Sequence, residues 1–141
     1  MSYKQKIKHV MKRDVITLNK DDTAKDAAQL IVSNRIGCGI IQDEHKAPLG
    51  IITEHNLVSK IVAGNEPAHI PLETIMTSPL LRISITCTLV EAARMMTSNY
   101  IKRLPVINRK GQLVGIISIS DILRATMTDS DLTDDGLLEY L

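Results

Sequence analysis

The chain has 141 residues, a formal net charge of +1 and 44% hydrophobic residues. This is the length of one ordinary domain, and the near-zero charge provides no field for nucleic acid or an anionic membrane surface. No apolar run approaches the roughly 18 residues of a membrane span, and the N-terminus lacks the apolar core of a signal peptide. Cys38 and Cys87 do not occupy matching positions in the two halves, so we expect a cytoplasmic protein without a disulfide scaffold.

The first half of the chain reads as strand, helix, strand, strand, helix. Thr23 opens the first helix, whose apolar residues recur with helical spacing, and Gly64 follows the second. The predicted elements are a strand at 14–18, a helix at 23–34, strands at 39–42 and 49–52, and a helix at 54–62.

The second half follows the same order after a linker rich in Gly and Pro. Pro71 is predicted at the first position of a helical turn over 71–76, which mirrors residues 7–11. Thr88 and Glu91 have the spacing of a capping box, and Gly111 stands where a hairpin loop needs a positive φ. Strands are predicted at 104–107 and 113–117, and a helix at 119–126.

The two halves are copies of each other, 65 residues apart. Met11 falls on Met76 and Gly50-Ile51-Ile52 on Gly115-Ile116-Ile117, and no gap is needed from Met11 to Leu57. Two copies exclude a long solenoid. Each half alone is near the lower limit for a stable core, so we expect an α/β (α+β) fold of two βαββα repeats packed about a pseudo-twofold axis. The predicted segments are a first repeat at 1–63, a linker at 64–71, a second repeat at 72–127 and an acidic, disordered tail at 128–141.

Each copy resembles a CBS domain, and the tandem resembles a Bateman module. The resemblance rests on the Val10-Met11 and Ile75-Met76 pairs, on the stretch 99–106, and on Gly115-Ile116-Ile117-Ser118-Ile119-Ser120-Asp121. It implies a regulatory module that binds AMP, ADP, ATP or S-adenosylmethionine in clefts between the repeats. It also implies a homodimer that signals to another, unidentified protein.

The candidate ligand site is centred on Ser118 and Asp121, where a strand turns into a helix. The N–H groups at a helix start favour an anion such as phosphate, and an ionised Asp suits a ribose diol. Ser-x-x-Asp is equally a capping box that needs no ligand, and both interpretations stay open. The resemblance also assigns a phosphate contact to Lys102 and Arg103, and solvated charges at the strand edge are the alternative interpretation. It assigns an apolar adenine slot to Leu104, Pro105, Ile83 and Ile101.

The first repeat departs from this pattern. Asn56 stands in place of Asp121, so it brings no charge, and residues 37–40 lack the two cations and the proline of 102–105. We therefore expect one competent site in the second repeat and a weaker site in the first. The residues of the weaker site would be Thr17, Thr53, His55 and Asn56.

No catalytic constellation stands out. The four histidines are scattered without metal-ligand spacing, and no Gly-rich loop precedes a Lys-Ser/Thr pair. We expect no enzyme activity, no catalytic cofactor and no metal. The alternative to a ligand sensor is a dimerisation platform that binds no nucleotide, with the acidic tail as a docking arm.

Overall fold

A computed structural model describes residues 5–78 and 80–127, so the predicted tail at 128–141 lies outside the described residues. The order of elements is the predicted one in both halves. The strands are β1 (Thr17–Leu18), β2 (Cys38–Gln42), β3 (Pro48–Thr53), β4 (Ile83–Ser84), β5 (Arg103–Ile107) and β6 (Leu113–Ser118). The α-helices are α1 (Ala24–Asn34), α2 (Glu54–Leu57), α3 (Leu89–Ser98) and α4 (Ile119–Thr126); 3-10 turns cover Ile7–His9 and Leu72–Thr74, and a π-helical turn covers Val58–Val62.

The strands form two three-stranded sheets, ordered β1-β2-β3 and β4-β5-β6. In the first, β1 is parallel to β2 and β2 is antiparallel to β3. In the second, β4 is parallel to β5. Helices alternate with these short mixed sheets, which confirms the predicted α+β class.

The described residues divide into two compact units that do not follow the sequence repeats. We call them the second-repeat unit (residues 5–13, 82–109 and 114–127) and the first-repeat unit (residues 14–78, 80–81 and 110–113). Residues 5–13 lie at the start of the first repeat but pack with the second, and we call them the N-terminal arm. Residues 71–78 lie at the end of the linker and the start of the second repeat but pack with the first, and we call them the linker arm.

Each arm is held by buried apolar side chains and by the sheet edge. In the N-terminal arm, Ile7 and Met11 lie in the core of the second-repeat unit, and Lys12 exchanges two backbone hydrogen bonds with Ile116, both at 2.9 Å. In the linker arm, Leu72 and Ile75 lie in the core of the first-repeat unit. Thr77 exchanges the equivalent bonds with Ile51, at 3.1 and 2.9 Å.

The close approach of each arm explains the glycine of the repeated Gly-Ile-Ile motif. A Cβ on Gly115 would lie 2.8 Å from both the Lys12 carbonyl oxygen and Met11 Sδ. A Cβ on Gly50 would lie 2.9 Å from the Thr77 carbonyl oxygen and 2.7 Å from Met76 Sδ. Because real Cβ atoms are not found at such distances from backbone, only glycine lets the arm reach the strand.

Three local predictions need correction. Pro71 is not the first residue of a helical turn: it is the extended N-cap residue, with ψ of 142°, and its carbonyl oxygen accepts from Thr74. The helix predicted over 54–62 is α-helical only at Glu54–Leu57 and continues as the π-helical turn, where Ala63 N–H donates to the Val58 carbonyl at 2.9 Å. The predicted strand at 14–18 is reduced to Thr17–Leu18, because only these two residues pair with β2.

Candidate functional site

The candidate site lies at the turn from β6 into α4. Ser118 Oγ accepts from the Asp121 N–H at 3.1 Å, and Ser118 N–H donates to Asp121 Oδ2 at 3.1 Å. This is a complete capping box, one of the two roles that the sequence left open. The cap occupies Oδ2 and leaves Oδ1 pointing to other partners.

Two cations converge on Asp121 Oδ1. Arg124 Nη1 lies 3.4 Å from it and Lys12 Nζ lies 3.6 Å from it. The Asp121 side chain is only 6% exposed, whereas those of Lys12 and Arg124 are 63% and 43% exposed. A nearly buried carboxylate at a helix N-terminus, faced by two accessible cations, forms a compact charged cluster.

Sequence reasoning missed Lys12 as a member of this cluster. Lys12 directly follows the repeated Met11, but the repeat itself does not reveal that each arm packs with the other copy. The sequence offers one signal for this contact. The charged residues Lys12 and Asp121 align, at the 65-residue offset, with the neutral residues Thr77 and Asn56. Both members of the pair are charged in one unit and neutral in the other, as expected for two side chains that contact each other.

The other predicted residues of the main site lie nearby in part. The Lys102 carbonyl accepts from the Ile119 N–H at 3.0 Å, which places Lys102 beside the start of α4. The Lys102 and Arg103 side chains are exposed. The side chains of Ile83, Leu104 and Pro105 are buried and that of Ile101 is half-buried, so an adenine slot here would use backbone and Ile101.

The corresponding turn of the first-repeat unit has the same shape without charge. Asn56 Oδ1 accepts from Thr53 N–H at 2.9 Å and from Thr53 Oγ at 2.8 Å. Asn56 Nδ2 donates to Thr77 Oγ1 at 3.3 Å, in the place of the Lys12 contact. His55 is exposed on α2, and Thr17 lies on β1, separated from β3 by β2.

The first-repeat unit also carries an apolar groove of about 380 Å³ on its helical side. Val32 and Val62 are 76% and 73% exposed on the helical elements of this unit. The groove runs between α1 and the segment of α2 and the π-helical turn. It is lined by Ala24, Lys25, Ala28, Leu57, Val58, Ile61, Val62 and Ala68.

Neither cysteine is poised for nucleophilic chemistry. Neither forms a disulfide bond, and Cys38 is buried. Burial raises the pKa of Cys87, and its hydrogen bond with the Glu91 carboxylate raises it further. The same hydrogen bond is the main cause of a lowered pKa for Glu91.

Within residues 5–78 and 80–127, no group of three or more His, Cys, Asp or Glu side chains is placed to hold a metal ion. No helix in the described part of the chain is long and apolar enough to cross a membrane.

Similar proteins support the repeat and the fold. An uncharacterized protein of Methanopyrus kandleri is 36% identical over 116 residues, which is 82% of this chain and 59% of that protein. A crystal structure of a putative acetoin utilization protein from Vibrio cholerae has a TM-score of 0.79 at 29% identity, covering 99% of this chain and 98% of that one. The CBS domain pair of protein MJ0100, solved with 5′-methylthioadenosine and S-adenosyl-L-methionine, has a TM-score of 0.78 at 26% identity, covering 87% and 100%.

The family profile matches both halves of the chain. The chain spans 59% and 34% of the length of the first two curated relatives it matches, so the likeness concerns this pair of repeats and not those whole proteins. The CBS-domain profile covers residues 7–63 and 72–128, in register with the internal repeat. This chain therefore belongs to the CBS-domain family, with two CBS domains in tandem.

Proposed function

We propose that the chain is a regulatory module that binds an adenosine-containing ligand at the Ser118–Asp121 turn. The observation that carries this proposal is a comparison of the two capping boxes. Asn56 makes the same cap as Asp121 with a neutral amide, so the fold does not need a carboxylate at this position. A nearly buried charge that the fold does not need is costly unless it has a use.

The chemistry of the turn suits a nucleoside. An ionised carboxylate accepts both hydrogen bonds of a ribose diol, and the N-terminal end of α4 offers a positive dipole to a phosphate. Lys102 lies beside the same helix start through its carbonyl bond to Ile119. The presence of 5′-methylthioadenosine and S-adenosyl-L-methionine in the MJ0100 pair supports the same ligand class for this chain.

The role we propose is regulatory and not catalytic. The described cluster contains acceptor and cationic groups but no nucleophile paired with a base. A ligand acts on such a module only through its different affinities for two conformational states. The signal then passes to another protein.

A homodimer through the helical side of the first-repeat unit is the second part of the proposal. The apolar groove and the exposed Val32 and Val62 support it, because exposed apolar patches of this kind mark association sites. The same observation favours the alternative function, a dimerisation platform without a nucleotide.

A thermal-shift panel separates these two functions. The purified protein is heated with AMP, ADP, ATP, S-adenosylmethionine, NAD and GTP, after removal of co-purified nucleotide. A ligand at a hundred times its Kd adds about 2.7 kcal/mol, which raises Tm by several degrees. A rise with adenosyl compounds supports the sensor, and no rise with any compound at millimolar concentration supports the platform.

A further inference from the structure

Lys12 is the most loosely held member of the Asp121 cluster. Both Lys12 and Arg124 face the single carboxylate of Asp121. Lys12 Nζ, at 3.6 Å from Oδ1, is beyond hydrogen-bond distance and is the most exposed of the three groups. Arg124 Nη1 is within hydrogen-bond distance of the same oxygen at 3.4 Å.

The backbone of Lys12 is fixed although its ammonium group is not. The two hydrogen bonds to Ile116 hold the residue against β6, and the neighbouring Met11 is buried in the core. The ammonium group therefore swings on a flexible four-carbon stem over a small region that includes Asp121 and the start of α4. A ligand that takes Asp121 Oδ1 for its ribose would displace Lys12 before it displaces Arg124.

We propose that Lys12 determines which adenosine ligands this site accepts, by moving from Asp121 to a phosphate of the ligand. The inference rests on the proposed function and names the ligand class more closely. A 5′-phosphorylated adenosine gives the displaced ammonium group a new anionic partner beside the N-terminal end of α4. Methylthioadenosine offers no anion, and S-adenosylmethionine carries a positive sulfonium at the 5′ position where AMP carries its phosphate.

The first-repeat unit provides an internal contrast. Thr77 takes the place of Lys12 and Asn56 takes the place of Asp121, and both of these side chains are uncharged. Neither the displaced cation nor the buried anion exists there. That turn therefore lacks the feature that would distinguish phosphorylated from unphosphorylated adenosine.

The test is calorimetric titration of AMP and of 5′-methylthioadenosine into the full chain and two variants. Lys12→Met keeps the stem and removes the charge. Lys8→Met is the matched control, since Lys8 is an exposed residue of the same arm and its loss changes the net charge equally. Lys12→Met should weaken AMP binding about tenfold or more, the worth of one charge-assisted hydrogen bond, and leave methylthioadenosine binding unchanged or tighter. Lys8→Met should change neither.

The outcomes separate this inference from the function on which it rests. If the wild-type chain binds neither compound, the inference fails, and if it also binds no adenosyl compound of the thermal-shift panel, the proposed function fails with it. If it binds methylthioadenosine as tightly as AMP, or if Lys12→Met weakens both equally, only the role of Lys12 is overturned. An unchanged urea midpoint for Lys12→Met shows that a loss of AMP binding is not a loss of fold.

Discussion

The two units place a polar pair at the same point of the same scaffold, but only one pair is charged. Lys12 meets Asp121 in the second-repeat unit, and Thr77 meets Asn56 in the first-repeat unit. Both pairs join an arm to a helix cap, so the cap and the arm do not depend on charge. The difference shows that the scaffold does not need the charges of this pair, and in our proposal the charges serve a ligand.

The helical sides of the two units also differ. In the first-repeat unit, α2 ends at Leu57 and a π-helical turn follows, whereas α4 in the second-repeat unit is a regular helix from Ile119 to Thr126. The exposed Val32 and Val62 correspond to Thr97 and to the half-buried Met127. The unit with the neutral cap thus carries the apolar groove described above. Under the proposed function, ligand binding and association would involve different units.

The largest expected effect concerns the arms. Ile7→Ala and Leu72→Ala each remove a fully buried side chain that an arm contributes to the core of a unit. Each should lower the free energy of unfolding by about 2–5 kcal/mol in urea titration. Lys8→Ala and Glu73→Ala, exposed on the same arms, should stay within about 0.5 kcal/mol. Small losses for both buried variants would contradict the packing of the arms.

The next largest effect on stability is expected at the two glycines that lie against the arms. Gly115→Ala and Gly50→Ala should each cost about 1–3 kcal/mol, because a backbone carbonyl of the arm lies within 2.9 Å of the added Cβ. Hydrogen exchange should become faster at the Lys12 amide in the first variant and at the Thr77 amide in the second. Gly111→Ala is the contrast: no atom lies within 4 Å and its φ is +79°, so its cost is conformational and leaves both amides protected. Equal exchange in all three variants would contradict the close approach.

A smaller effect on stability should follow when the neutral pair of Asn56 and Thr77 is replaced by a charged pair. The double variant Asn56→Asp and Thr77→Lys recreates the Lys12–Asp121 pair in the first-repeat unit. A double-mutant cycle should show a favourable coupling of about 0.2–1 kcal/mol that declines as salt is added. Asn56→Asp alone should keep the cap, since a carboxylate accepts the Thr53 N–H as the amide oxygen does. A coupling of zero at low salt would show that the two arms do not present these residues equivalently.

The smallest effect is a pH dependence at Cys87. Its raised pKa means that the folded protein holds the thiol proton more tightly than the unfolded chain, whose ordinary value is 9.0. The stability from this group is therefore fully present below pH 9.0 and is lost as the pH rises through the raised pKa. Glu91→Gln keeps the cap at Thr88 and removes the carboxylate. In a Cys38→Ala background, ultraviolet titration of the Cys87 thiolate should give a lower pKa in the Glu91→Gln variant. Burial would still raise the pKa of Cys87, but the contribution of the Glu91 carboxylate would be lost. An unchanged pKa would contradict the contribution of Glu91.

Much of the fold followed from the sequence. The repeat gave the element order in both halves, and the Thr88–Glu91 spacing correctly predicted the cap of α3. The positive φ of Gly111 was also predicted from its place in the hairpin. These features depend on neighbours within a few residues, which is why local patterns were sufficient.

The packing of each arm with the other repeat could not be predicted in the same way. It depends on contacts between residues far apart in the chain, such as Lys12 with Asp121, and no local propensity encodes them. The Pro71 prediction was wrong because helix propensity does not distinguish an N-cap from a first helical residue when the turn is only three residues long. The predicted role of Ser118 and Asp121 in ligand binding stays a prediction, while their capping role is observed.

The central claim is that the charge of Asp121 serves a ligand and not the fold. Asp121→Asn tests it directly, because Asn56 shows that an amide makes the same cap. We would titrate wild type, Asp121→Asn and Asn56→Ala with the adenosyl compound that gives the largest thermal shift. The account predicts one strong site per chain, weakened about tenfold or more by Asp121→Asn with a nearly unchanged urea midpoint, and unaffected by Asn56→Ala. Two equal sites per chain, or unchanged binding in Asp121→Asn, would contradict it.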